Sequence, residues 1–147
     1  ERLVSSTVRK HIGLIVETYD RTARRGSIVF ATLPGERHEL GLLMSAMVCA
    51  SHGFKVHYLG PDLPAEEIAR YAKASGAGIV ALSVLLLDGI ERLPGQLQLL
   101  REALGPEVPI WVGGTGAQQV DRSALPDDVV IVADSTELEQ RLDVLPR

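Results

Sequence analysis

Aromatic side chains are scarce in this sequence of 147 residues, making up 4% of it against 46% hydrophobic residues in all. Its core must therefore be filled by branched aliphatics and alanine, a packing that suits helices laid over a sheet. Cysteine is nearly absent too. Cys49 stands alone in the apolar run MVCAS, which excludes a disulfide framework and reads as a buried, inert thiol in a reducing cytoplasm. Basic residues are outnumbered 15 to 19, for a net charge of −4, and no basic stripe breaks the pattern, so no nucleic-acid surface is expected. No apolar stretch reaches the roughly 20 residues that span a bilayer. The opening ERLVSSTVRK lacks a signal-peptide apolar region, and a start at Glu1 reads as an excised or trimmed chain. A chain of this length buries roughly 68–70% of its unfolded surface, enough for one core and too little for two.

What is present alternates between two periodicities. Val4, Val8, Ile12, Ile15 and Tyr19 recur at helical spacing within residues 3–25, closed by RTARRG. Continuous apolar runs, the mark of strands covered on both faces, lie at 27–33, 54–60, 77–85, 108–114 and 129–134. Between them, 38–53, 63–76 and 90–105 read as helices, and ELEQRLDVL as a last one. Strands separated by helices of one crossover length imply right-handed βαβ units. The expected fold is a flavodoxin-like doubly wound α/β domain with a five-stranded parallel sheet of order 2-1-3-4-5, preceded by one N-terminal helix. Residues 20–26 are the single candidate seam, dividing an N-terminal helix (1–26) from the domain proper (27–147).

In such a sheet, ligands bind beyond the carboxyl ends of the strands. The unusual clusters all fall there: GERHELG after the first strand, YLGPDLP after the second, SVL after the third and GGTGA after the fourth. Each has a plain reading. His38 could be a solvated residue at a helix start, with Glu36 and Glu39 favouring the helix dipole. GGTG could be only a turn, and Ser83 only a strand-end hydroxyl. A phosphate loop is excluded, since there is no G-x-G-x-x-G or G-K-[ST] and the first loop carries acids. A receiver domain is excluded by Ser83, Val84 and Leu85 where an aspartate is needed.

In combination, E-x-H-x-x-G (Glu36, His38, Gly41), S-x-L (Ser83, Leu85) and G-G (Gly113, Gly114) resemble the cobalamin-binding domain of methionine synthase, mutases and corrinoid proteins. The likeness runs from about residue 27 to 144. Glu36 stands where that family usually has Asp, and P-G-E-x-H-E-x-G-L-L with H-Y-L-G-P-D is most similar to light-sensing regulators that bind adenosylcobalamin. The resemblance implies His38 as the lower axial ligand of cobalt, with Glu36 fixing its tautomer. It also implies a base-off cofactor whose dimethylbenzimidazole tail is buried beside Gly113, Gly114 and Thr115, with Ser83 as donor, Leu85 as apolar wall and Gly41 giving close approach. Tyr58, Leu59 and Gly60 would offer backbone donors to the corrin amides.

Three functions stay open on this reading: a light-sensing module, a methyl-transferring corrinoid carrier, or a relative holding heme or a bilin instead of or beside cobalamin. The protein shows no base or nucleophile of its own, so no enzyme is expected of this domain alone. The family's capping tryptophan and upper histidine have no counterpart, and Trp111 is expected in the core. Val4, Val8, His11, Ile15 and Tyr19 form a stripe that should bury itself, with self-association or a partner domain covering the corrin's upper side. His11 on that stripe is a further candidate upper ligand.

Overall fold

The computed structural model describes residues 2–85 and 89–146, with side chains from Ser6 onward. Five parallel strands form one sheet in the order β2-β1-β3-β4-β5. They are β1 (Ser27–Ala31), β2 (Lys55–Gly60), β3 (Ile79–Ser83), β4 (Ile110–Gly113) and β5 (Val130–Ile131). The helices are α1 (Arg2–Asp20), α2 (Leu40–Ser51), α3 (Ala65–Ser75), α4 (Leu93–Leu104) and α5 (Ser135–Asp143). This is the expected flavodoxin-like architecture, with α3 and α4 on one face, α2 and α5 on the other, and α1 against α2 and the β2 edge.

The two faces are packed differently, and strand alternation explains how. Val29, Val80, Leu82, Ile110 and Val112 point at α3 and α4, where Ile68, Leu97 and Leu100 complete a filled core. Toward α2 and α5 the side chains shrink along β3 and β4, from Ile79 through Ala81 to Ser83 and from Trp111 to Gly113. That taper hollows the second layer near the carboxyl edge.

Several boundaries differ from the sequence reading. The fifth strand contracts from 129–134 to Val130–Ile131. The last helix begins earlier, at Ser135, because Asp134 accepts the Glu137 N–H at 2.8 Å as its cap. The first helix stops at Asp20, short of the arginines. Arg25 instead ties the ends of α2 and α5 to the segment before β1, donating to the carbonyls of His52, Leu142 and Leu145 and lying 4.6 Å over the Phe54 ring. The buried side of α1 is also rotated: Ile12 is buried with Val8 and Val16 half-buried, while His11, Ile15 and Tyr19 of the expected stripe face outward. His11 Nδ1 bonds the Thr7 carbonyl of its own helix at 2.8 Å. Val4 lies outside the described side chains.

Cys49 sits on the hollow side at 1% exposure, and burial pushes its thiol from 9.0 up to about 12. Because the folded value is the higher one, the unfolded chain loses its proton first. The stability tied to this group is complete below pH 9.0 and is lost as pH rises toward about 12. Guanidinium titrations should therefore show the unfolding free energy falling above pH 9.0, with Tyr58, also raised, adding to the loss at higher pH. Cys49→Ala should start about 1 kcal/mol lower and fall less steeply; parallel curves for the two proteins would acquit the thiol.

Candidate functional site

The site is assembled from the end of β1. Thr32 is fully buried, its hydroxyl donating to the Glu36 carbonyl at 2.6 Å and accepting the Asp62 N–H at 2.8 Å. Asp62 in turn accepts the Gly35 N–H at 2.8 Å, so the β1–α2 and β2–α3 loops hold one another. Glu36 is only 6% exposed. Its carboxylate accepts the backbone N–H of His38 at 3.2 Å, the backbone N–H of Leu85 two residues past β3, and the His38 ring Nδ1–H, 3.0 Å away. Since a carboxylate accepts, Nδ1 donates, which in the neutral ring leaves the lone pair on Nε2. The ring is half exposed, at 52%. The helix expected over 38–53 does not include His38: α2 starts at Leu40, because Glu39 takes a non-helical backbone and turns its carboxylate to Tyr58 and Arg9.

Beside this imidazole opens a cleft of about 1130 Å³. Its floor is the tapered sheet face, with Phe30, Ala81 and Trp111, and its walls are α2 and the start of α5. His38, Gly41, Ser83, Leu85, Gly113, Gly114 and Thr115 all line it. Glu36 stands behind His38. Tyr58, Leu59 and Gly60 do not line it: Tyr58 donates to Glu39 at 2.7 Å, Leu59 packs on the α3/α4 face, and the Gly60 carbonyl accepts the Thr32 N–H at 3.2 Å.

The glycines have separate reasons. Gly41 is open, since an added Cβ would meet only Ser83 Oγ at 3.9 Å, and at Gly113 it would meet the Val132 carbonyl at 3.7 Å. At Gly114, whose φ is +96°, it would overlap the Val84 carbonyl and come within 2.9 Å of its carbon. Gly116 is clamped likewise, its N–H bonding the Val84 carbonyl at 2.9 Å. The Val84 backbone by itself already requires the second glycine of the G-G pair.

The model of the B12 binding domain matches residues 26–142. The chain belongs to the B12-binding domain family. The HTH-type transcriptional repressor CarH of Myxococcus xanthus is 34% identical over 118 residues, covering 80% of this chain and 39% of the repressor. Dimethylamine corrinoid protein 1 of Methanosarcina acetivorans is 33% identical over 102 residues, 67% of this chain and 46% of that protein. The chain thus spans less than half the length of either relative. Among solved structures, a cobalamin-binding protein from Desulfitobacterium hafniense DCB-2 superposes with a TM-score of 0.63 at 24% identity, covering 93% of this chain and 70% of that one. The methanol:cobalamin methyltransferase complex MtaBC of Methanosarcina barkeri gives 0.70 at 19%, covering 81% and 45%. These likenesses establish the shared fold.

This B12-binding domain binds cobalamin, and the sequence reading missed part of its cleft. Trp111 is both core and floor, at 7% exposure, paired in register with small Ala81. A large residue on one strand facing a small one on its neighbour was the available signal. Arg9 and the α5 residues Ser135 and Leu138 also line the cleft, and no local pattern marks them. Among the described residues no helix is long and apolar enough to cross a membrane.

Because the Val84 backbone faces Gly114, substitution there should unfold rather than merely block. We expect Gly114→Ala to cost about 2–3 kcal/mol in the ligand-free domain, from the positive φ and the overlap. Thermal unfolding would show it; an unchanged melting temperature would return this glycine to a purely ligand-facing role.

Proposed function

We propose that this domain holds its corrinoid base-off, with His38 Nε2 as the lower axial ligand and the dimethylbenzimidazole tail in the cleft between the sheet, α2 and α5. The observation that carries this is the Glu36–His38 pair at the mouth of the cleft. The buried carboxylate orients the ring and fixes its tautomer. Among the described residues no group of three or more His, Cys, Asp or Glu side chains could hold a metal ion. A metal at His38 must then bring its other ligands with it, as a macrocycle does.

The cleft suits the tail on both counts that matter. Its walls are mostly apolar, and Gly41 leaves the passage between α2 and Ser83 unobstructed. When bound, the corrinoid supplies a cobalt–carbon bond that light or group transfer can break. The chain's own residues orient the axial nitrogen, bury the tail and exclude water from it.

We read the domain as the light-sensing module of a regulator carrying adenosylcobalamin, with residues 1–26 as the remnant of a cap or an interface helix and 27–147 as the cobalamin-binding domain. Similarity to the CarH repressor supports this reading. Similarity to the dimethylamine corrinoid protein supports the second, a methyl carrier. Illumination separates them: the sensor loaded with adenosylcobalamin should change its absorption spectrum irreversibly in light and change its assembly state with it, whereas photolysis without any change in assembly favours the carrier.

Two substitutions test the site itself. His38→Ala should leave the ligand-free melting temperature nearly unchanged, because the ring is half exposed, yet weaken hydroxocobalamin binding at least about tenfold and remove the histidine-ligated spectrum. A spectrum matching the parent's would exclude His38 as ligand. Gly41→Leu should slightly stabilise the ligand-free helix, by about 0.5 kcal/mol. It should also cost cobalamin at least about tenfold in affinity while sparing tail-less cobinamide, as overpacking a channel does. Equal losses for both ligands would place the tail elsewhere.

A further inference from the structure

One carboxylate at the site is unexplained by ligand or tail. Glu39 directly follows His38, and its backbone (φ −126°, ψ −2°) makes it the residue before α2 without a side-chain cap to that helix. Its side chain is 12% exposed. One oxygen accepts the Tyr58 hydroxyl from β2 at 2.7 Å, and the other pairs with the Arg9 guanidinium from α1. Burial and that hydrogen bond hold the Tyr58 phenol well above its ordinary range, so it remains a donor at every physiological pH. Three elements distant in sequence therefore meet on the residue next to the axial histidine.

The seating of α1 around this contact is loose. Beneath the helix lies a partly open apolar pocket of about 90 Å³ lined by Arg9, Ile12, Val16, Leu43, Val56 and Tyr58. Apolar surface left unpacked in that pocket gives α1 less contact with the sheet layer, so the ion pair carries a larger share of the docking than it would in a filled interface. A carboxylate that is mostly buried loses much when its cationic partner leaves. Glu39 and His38 are adjacent, with α-carbons one peptide apart, so fixing one restricts the other.

We propose that Glu39 is a positioning residue that couples α1 to the His38 segment, so that seating of α1 through Arg9 and occupation of the His38 site each strengthen the other. The inference rests on the axial role given to His38 above. Reciprocity follows from linkage: if the ligand tightens α1, holding α1 tightens the ligand by the same factor. The His38 site thereby reports on a helix whose outer face, with Leu14, Ile15 and Tyr19, is open.

The test reads two quantities on the full chain, amide hydrogen exchange in α1 and affinity for hydroxocobalamin, in the parent, Glu39→Gln, Arg9→Ala, the double variant and His38→Ala. Loading the parent should slow α1 exchange at least about fivefold, the low end of ordinary coupling. Glu39→Gln should keep the histidine-ligated spectrum, bind at least about fivefold more weakly and show fast α1 exchange that ignores loading. The double variant should be no worse than either single one. Tyr58→Phe, which keeps the ring, should give an intermediate loss and serves if Glu39→Gln does not fold. Unchanged α1 exchange on loading the parent overturns the coupling. So does a response that survives Glu39→Gln but not Arg9→Ala, which would mean direct contact between ligand and Arg9. A loading response retained in His38→Ala overturns the route through His38. Absence of a histidine-dependent spectrum in the parent instead defeats the axial reading, and does so independently of the exchange data.

Discussion

A carboxylate taken out of water must be met by donors, and Glu36 is where that requirement organises the structure. Its oxygens take N–H groups from its own loop and from just past the end of β3, so the two central strands of the carboxyl edge are tied through one side chain. The loop cannot shift without stranding a buried charge. Thr32, also fully buried, fixes the other end of the same loop through the Glu36 carbonyl and the Asp62 N–H. Only after those demands are met does the His38 ring receive a partner. The imidazole thus inherits a defined position and tautomer from bonds that the fold itself needs.

The second constraint is geometric. A parallel sheet must be covered on both faces, yet here only the α3/α4 face is filled to the edge. On the α2/α5 face the decline from Ile79 to Ser83 and from Trp111 to Gly113 removes volume where the loops converge. Stability and binding are in this way assigned to opposite faces of one sheet. The clamp of Gly114 and Gly116 on the Val84 carbonyl keeps the hollow from being closed by drift of the β4 turn.

How much of this could be read from the chain depended on the range of the interactions. The strands, their order and the loops that converge follow from local periodicity and from handedness, and they stand as expected. Glu36 and His38 were legible because they are two residues apart. Glu39 was not: a helix start looks natural at that position until Tyr58 and Arg9, 19 and 30 residues away, draw its carboxylate aside. The inward face of α1 was misjudged for a related reason. Its apolar residues surround most of the helix, and only the packed neighbours choose Ile12 and Val16 over Ile15 and Tyr19. The structural demand for Gly114 was not legible, because sequence cannot show that the Val84 backbone already occupies the place of its side chain.

The same reasoning explains the composition of α2. Its sequence, LGLLMSAMVCAS, is apolar on nearly all sides, a pattern expected of a helix that is buried all round. Leu42, Ala46 and Cys49 meet the sheet side, and Leu43 and Ala46 border the pocket beneath α1. Leu40 and Met44, one turn apart, are nevertheless about half exposed, at 53% and 51%, and both border the cleft. An apolar flank turned toward a cavity is completed by whatever fills the cavity. A cobalamin lodged there would bury it, so part of the stability of this layer comes from binding and rises with ligand concentration. On that account the hollow layer is the half of the core that the sequence leaves for its cofactor to supply.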